Sequence, residues 1–150
     1  MPIVDLDMLA PVLRELPSRL LAQAGTAAAA ISGAKLSAAG FDHYQFSILA
    51  TLEHWGVLDQ AAISARTGLD RSDVAIAVAS LEVRGLVERQ NHPADRRRRR
   101  VEITVDGLTA ITRLKSDLEV VQRDIFSSLS HKETSELRRM CILILQSLRN

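Results

Sequence analysis

A chain of 150 residues, 47% hydrophobic and 25% charged, has enough apolar material for one buried core and is not a disordered tail. Its net charge of only +1 means that any nucleic-acid-binding surface must gather its positive charge locally. The single cysteine, Cys141, excludes an intrachain disulfide and a cysteine-rich zinc site, the N-terminus lacks the basic flank and apolar core of a signal peptide, and no apolar run reaches the ~18 residues of a membrane span. Those features lead to the expectation of a cytoplasmic protein without a membrane segment.

Residues 5–38 read as helical. Pro11 and Pro17 divide them into a short first piece and a longer helix that starts near Pro17, because proline suits a first helical turn. Apolar residues run almost all round this helix (Leu20, Leu21, Ala24, Ala28, Ile31), which predicts burial, often between subunits. Gly40 ends it. Asp42 caps a second helix to about His54, with Ile48, Leu49, Leu52 and Trp55 as its core stripe and Gly56 as its stop. Val57-Leu58 is a short extended link, a candidate strand.

A third helix is expected over Asp59 to Thr67, followed by a turn at Gly68-Leu69. Asp70 caps a fourth helix, with Asp73 three residues on in a capping-box-like arrangement, and Gly85 stops it after Arg84. Leu86–Gln90 and Arg99–Thr104 alternate as two hairpin strands around a loop, Asn91–Arg98. A fifth helix begins at Asp106-Gly107. Its seam is Leu108, Ile111, Leu114, Leu118, Val121 and Ile125, stepping by three and four. Ser130 and Glu133 form a capping box for a sixth helix ending near Arg149, apolar on more than one side (Leu137, Met140, Cys141, Ile144 and Leu148; then Ile142, Leu143 and Leu145).

The fold class that follows is mainly α: a winged helix-turn-helix with about six helices and a two- to three-stranded β-wing. Residues 41–106 form the DNA-binding lobe. Residues 1–40 and 107–150 supply apolar helices that pack together and against a second copy, so a homodimer is expected.

The fourth helix turns Val74, Ala77, Val78 and Leu81 inward. Its opposite face carries Ser72, Ile76, Ala79 and Val83, flanked by Arg71, Asp73 and Ala75. An outward isoleucine and small apolar neighbours suit thymine methyls in a major groove, where Ser72 bonds base or phosphate and Arg71 reaches phosphate or guanine. Asp73 either accepts from cytosine or only caps the helix. With few long polar donors on this helix, affinity and part of the specificity fall to the wing and to DNA shape.

From Arg84 to Glu102 there are seven arginines against Glu88, Asp95 and Glu102, a local balance of 7 − 3 = +4. Five of them are consecutive, Arg96 to Arg100. Asp95, two residues from Arg97, is expected to accept from a guanidinium and fix its geometry. Arg97, or its neighbours Arg96 and Arg98, is then the side chain that enters the minor groove. Arg99 and Arg100 alternate on the returning strand, and at least one of them is a backbone contact or a plain surface charge.

Asp70-Arg-Ser72, Leu81-Glu-Val-Arg-Gly-Leu-Val87, Pro93-Ala-Asp-Arg-Arg97, Val101-Glu-Ile-Thr104 and Gly107 together resemble the MarR family of winged-helix transcriptional regulators. The resemblance covers nearly the whole chain, with Ile103 where leucine is commoner. It implies an interleaved homodimer on a pseudo-palindromic operator in double-stranded DNA, with the recognition helix in the major groove and the wing in the minor. It also implies a repressor released by a small phenolic or anionic effector. Asp95 and Arg97 take the wing roles, while Ala75-Ile76 depart from the polar residues common there. Near the implied effector cleft, His43 and Tyr44 are the candidate ligand-binding residues; the simpler reading makes His43 a surface residue and Tyr44 core.

No cofactor and no metal site is expected. A carboxylate and histidine at Asp42-His43 would need further histidines on the fifth helix, and 105–125 has none. No catalytic residues are assigned, since no phosphate loop, nucleophile motif or paired carboxylates appear. A DNA-binding module that senses no ligand, architectural or constitutive, is the other reading.

Overall fold

The computed structural model describes residues 4–91, 93–95 and 97–149. A 3-10 turn (Leu6–Met8) and helix α1 (Pro11–Arg14) precede the long α2 (Pro17–Ala38). Then come α3 (His43–Trp55), β1 (Leu58–Asp59), α4 (Gln60–Thr67), α5 (Arg71–Val83), β2 (Val87–Asn91), β3 (Arg99–Ile103), α6 (Val105–Ile125) and α7 (His131–Ser147). Pro11 and Pro17 each open their helix, where the missing N–H costs nothing.

The sheet is antiparallel, in the order β1-β3-β2. Leu58 faces Val101, and Val87 faces Ile103. The alternation of β2 and β3 buries Val87 and Val101 against the helices. Strand β1 is offset by one residue from the expected Val57-Leu58, so Asp59 belongs both to the strand and to the cap of α4.

One core joins the middle of the chain. Ile48, Leu49 and Leu52 from α3, Ile63 from α4, Val74, Val78 and Leu81 from α5, and Ile111 and Leu114 from α6 are buried together with both strands. The inward face expected of α5 is the buried one. Trp55 departs from expectation. It is 54% exposed at the end of α3, beneath the Arg66 guanidinium, which lies 4.0 Å from the ring centroid. The last turn of α3 has passed beyond the core, and the cation covers the ring in its place. The seam of α6 holds at Ile111, Leu114 and Val121, whereas Leu108 is exposed.

Caps explain most helix starts. Asp42 and Gln45 make a reciprocal capping box on α3 (2.8 and 3.1 Å), as do Ser130 and Glu133 on α7 (3.2 and 2.7 Å). Asp70 occupies the N-cap of α5 but makes no side-chain cap bond, so the expected box with Asp73 is not formed. Helix α6 starts at Val105, one residue before the expected Asp106, because Thr104 caps it by accepting from the Gly107 N–H at 3.0 Å.

Among the glycines, the tightest approach lies at Gly107. A Cβ there would stand 2.1 Å from the Leu86 carbonyl oxygen and 2.6 Å from Ile103 Cγ1. Any side chain must push α6 off the start of β2. Gly107→Ala should therefore lower the unfolding free energy by about 1–3 kcal/mol, read by denaturant titration; an unchanged midpoint would show that the joint yields.

In α7, the Ser130 backbone and hydroxyl hold the Glu133 carboxyl below its ordinary pKa. A carboxylate with a depressed folded pKa stabilises above its unfolded value and loses that contribution as pH falls through the folded value. Acidification should thus fray the first turn of α7, with Glu133→Gln flattening the response in amide exchange of residues 131–135.

Candidate nucleic-acid interface

Helix α5 presents an outer face of the composition read from the sequence. Arg71, Ser72, Ile76 and Ala79 are exposed, and Asp73 and Ala75 are half-buried. Ile76 is 71% exposed and Val83 89%. An α-helix buried along its other side cannot hide these residues as well, because its core stripe already uses Val74, Ala77, Val78 and Leu81. The face is short-chained and weakly polar, suited to lie close against a groove wall.

Two contacts set the tilt of α5. Gln45, the one buried polar side chain among the described residues, reaches from the first turn of α3 to donate to Ser80 Oγ at 3.0 Å. Arg84, at the C-terminal cap of α5, donates to the Gly40 carbonyl at 2.8 Å and lies 4.0 Å from the centroid of the Phe41 ring. Sequence reading assigned Arg84 only as a helix end. Its partners lie 43 and 44 positions earlier in the chain, beyond any local signal.

At the wing tip, Asp95 builds the turn. Its Oδ1 accepts from the Arg97 backbone N–H at 2.9 Å, and its carbonyl accepts from the Arg98 N–H at 3.1 Å. This replaces the expected bond between Asp95 and a guanidinium. An aspartate side chain closes a short ring onto the amide two residues on, a local turn that competes well with a long, mobile arginine head. Asp95 thus positions the backbone that carries Arg97, and Arg97 is exposed. Arg96, also singled out from the sequence, lies outside the described residues.

Arg98 has a different partner. Its guanidinium forms an ion pair and hydrogen bond with Asp59 Oδ2, from the start of α4. Asp59, Gln60 and Ala61, together with Arg89, Arg97, Arg98 and Arg99, line a cleft of about 340 Å³ between wing and helix-turn-helix. Four guanidinium-bearing residues meet one carboxylate there. Arg89 approaches Glu82 of α5 at 3.4 Å. Such a cleft attracts polyanions. Asp59, Arg89 and Gln60 were not singled out in the sequence. Asp59 read only as part of a helix start, and the pairing with Arg98 spans 39 positions.

His43 and Tyr44 stack with ring centroids 4.2 Å apart; His43 is exposed, and Tyr44 is half-buried against the core. A cavity of about 200 Å³ opens nearby, lined by Ala39, Phe41, Asp106, Thr109, Ala110, Arg113 and Leu114 rather than by His43 or Tyr44. No helix among the described residues is long and apolar enough to cross a membrane.

Residues 42–98, from the cap of α3 to the wing turn, match the sequence model of the MarR family. A protein of Thauera aromatica named for transcriptional regulation of its hcr operon is 32% identical over 80 residues, 53% of this chain and 48% of that protein. The match therefore spans about half the length of that relative. The PcaV transcriptional regulator of Streptomyces coelicolor, in complex with its natural ligand, superposes with a TM-score of 0.80 and 26% identity, over 94% of this chain and 99% of that one. A MarR variant of E. coli complexed with operator DNA shares the fold, with a TM-score of 0.78 and 17% identity over 91% and 99% of the two chains.

If Asp95 organises the wing through backbone bonds, Asp95→Ala should speed amide exchange at Arg97 and Arg98 about 3- to 10-fold, the worth of roughly one net hydrogen bond. Exchange in α3 should not change. Unaltered wing exchange would assign the turn to other contacts.

Proposed function

We propose that the chain, whose residues 42–98 match the MarR family model, acts in the cytoplasm as a homodimeric, sequence-specific DNA-binding transcriptional regulator of that family. The family-model match and the relatives named for transcriptional regulation support a regulator rather than an enzyme. One observation carries the DNA-binding reading: an exposed, short-chained face on α5, in the same lobe as an arginine-lined wing cleft.

In this reading α5 enters the major groove. Ile76, Ala75 and Ala79 meet thymine methyls, while Arg71 and Ser72 contact phosphate or base edges. Asp73 lies in the first turn of α5, where a carboxylate complements the helix dipole, and it borders the same face. The wing follows the flanking minor groove with Arg97 inserted, Arg96 supporting it, and Asp95 fixing the turn. Since α5 offers few long donors, the wing supplies much of the affinity.

The dimer reading rests on α7. It has no buried residue, yet carries Ile142, Leu143 and Leu145, with Leu148 at its C-cap, at 48–77% exposure. Helix α2 buries only Leu36 of its 22 residues. A second copy packed across 1–40 and 107–150 covers both surfaces. Two copies then present two α5 helices to a pseudo-palindromic site.

We assign the regulator a repressor's role, with release by a small anionic or phenolic ligand. PcaV holds its natural ligand on the same fold, and the cavity beside Phe41 offers Arg113 as a cationic partner with an apolar wall. His43 and Tyr44 stand near its rim in sequence and complete the candidate ligand set. A regulator that binds DNA without an effector is the alternative, separated by whether phenolic carboxylates shift binding.

At physiological salt the protein should bind DNA from upstream of its own gene at least about 10³-fold more tightly than random DNA. Equal affinities would overturn the regulator reading. Arg97→Ala should weaken specific binding about 10- to 100-fold while leaving the dimer mass unchanged by sedimentation. If Arg97→Ala binds like the wild type and Arg99→Ala does not, Arg99 is the groove-inserting residue.

A further inference from the structure

We propose that Asp59 is a specificity-determining residue of the wing: by holding Arg98 it lowers sequence-independent attraction to DNA and fixes the turn that presents Arg97. The inference rests on the DNA-binding reading above. The carboxylate has two roles at one point of the fold. Oδ1 caps α4, accepting from the Ala62 N–H at 2.8 Å. Oδ2 takes the guanidinium of Arg98. The Asp59 side chain is 16% exposed and that of Arg98 58%, so a well-seated acid holds a more mobile base. Asp59 also sits in β1 opposite Arg100 of β3, so its backbone is bound to the strand that returns from the wing tip.

Charge gives this contact its consequence. Attraction of arginines to phosphate is independent of sequence, because it comes from counterion release. A cleft with Arg89, Arg97, Arg98 and Arg99 and no acid would grip any duplex. Asp59 is the one acid lining it, among the described residues. It offsets one positive charge and converts that arginine from a ligand for phosphate into a strut. The strut ends on Arg98, whose N–H closes the Asp95 turn and whose neighbour is Arg97. A fixed turn discriminates between groove shapes, whereas a loose one adapts to all of them.

The cap and the strut are separable, because asparagine caps helices about as well as aspartate. Asp59→Asn keeps Oδ1 and removes the charge. The expected result has opposite signs on two DNAs. Random DNA should bind about 2- to 5-fold more tightly, with a salt dependence steeper by about one phosphate contact. The ratio of upstream to random affinity should fall about 10-fold. In the Arg98→Gln background, Asp59→Asn should change that ratio by less than about 2-fold, since the strut is already gone. Without DNA, amide exchange of Arg98 and Arg99 should rise in Asp59→Asn while thermal stability is retained.

A ratio that stays constant, with both affinities raised equally, would overturn the proposal and leave only a general charge effect. A ratio that falls equally in the Arg98→Gln background would overturn the route through Arg98. Equal binding of upstream and random DNA by the wild type would overturn the regulator reading and this inference with it. Discrimination by the wild type that survives intact in Asp59→Asn overturns this inference alone.

Discussion

The fold depends on the place where α6 crosses the start of β2. Gly107 lets the helix backbone approach the Leu86 carbonyl more closely than any side chain would permit. Thr104 closes the same joint. Its N–H donates to Leu86 at 3.1 Å, its hydroxyl donates to the Gly85 carbonyl at 2.7 Å, and that oxygen accepts from Gly107. Gly85 meets the joint from the other side, turning the end of α5 into β2 with φ of +71°, a conformation that suits glycine. The end of α5, the base of the wing and the beginning of the long α6 are therefore one rigid unit. No slack remains between α5 and the helix that leaves the lobe.

That unit is also held by polar contacts of longer range. Gln45 and Arg84 bind α5 to the α2–α3 turn. Lys115 of α6 holds Glu53 of α3 with both carboxylate oxygens at 2.8 Å, and Lys35 of α2 approaches Asp117 of α6 at 3.9 Å. The exposed ion pairs add little stability singly. The Gln45 contact matters more, because a buried amide without a partner is costly. Arg84 adds the Phe41 ring to its carbonyl bond. The tilt of α5 is thus referred to α3 and the end of α2, and through α3 to α6.

Charge is distributed on the same plan. A net charge of +1 leaves little long-range field, so the local balance of +4 between Arg84 and Glu102 acts at short range. Its arginines are not equivalent. Asp95 acts on backbone, fixing the amide of Arg97 and leaving that side chain exposed. Asp59 acts on a side chain, pairing with the Arg98 guanidinium. The neighbouring, identical Arg97 and Arg98 are thereby given different tasks by two acids, one near in sequence and one distant.

The sequence by itself determined what is local. Helix limits, two capping boxes, the buried stripe of α5 and the two wing strands follow from periodicity and turn chemistry, and the family resemblance followed from contiguous blocks. It placed Trp55 in the core by spacing alone, which does not register where a helix outruns its neighbours. It gave Asp70 a capping box that the backbone does not form, and it gave Asp95 a guanidinium where a nearer amide competes better. The tertiary structure decided what joins distant positions: Asp59 with Arg98, Arg84 with Gly40 and Phe41, Gln45 with Ser80, and Gly107 with Leu86. A side chain's nearest partner within a few residues is set by bond geometry, which the sequence carries. A partner 21 to 44 residues away is set by how the helices close on the core, and only the folded chain contains that information.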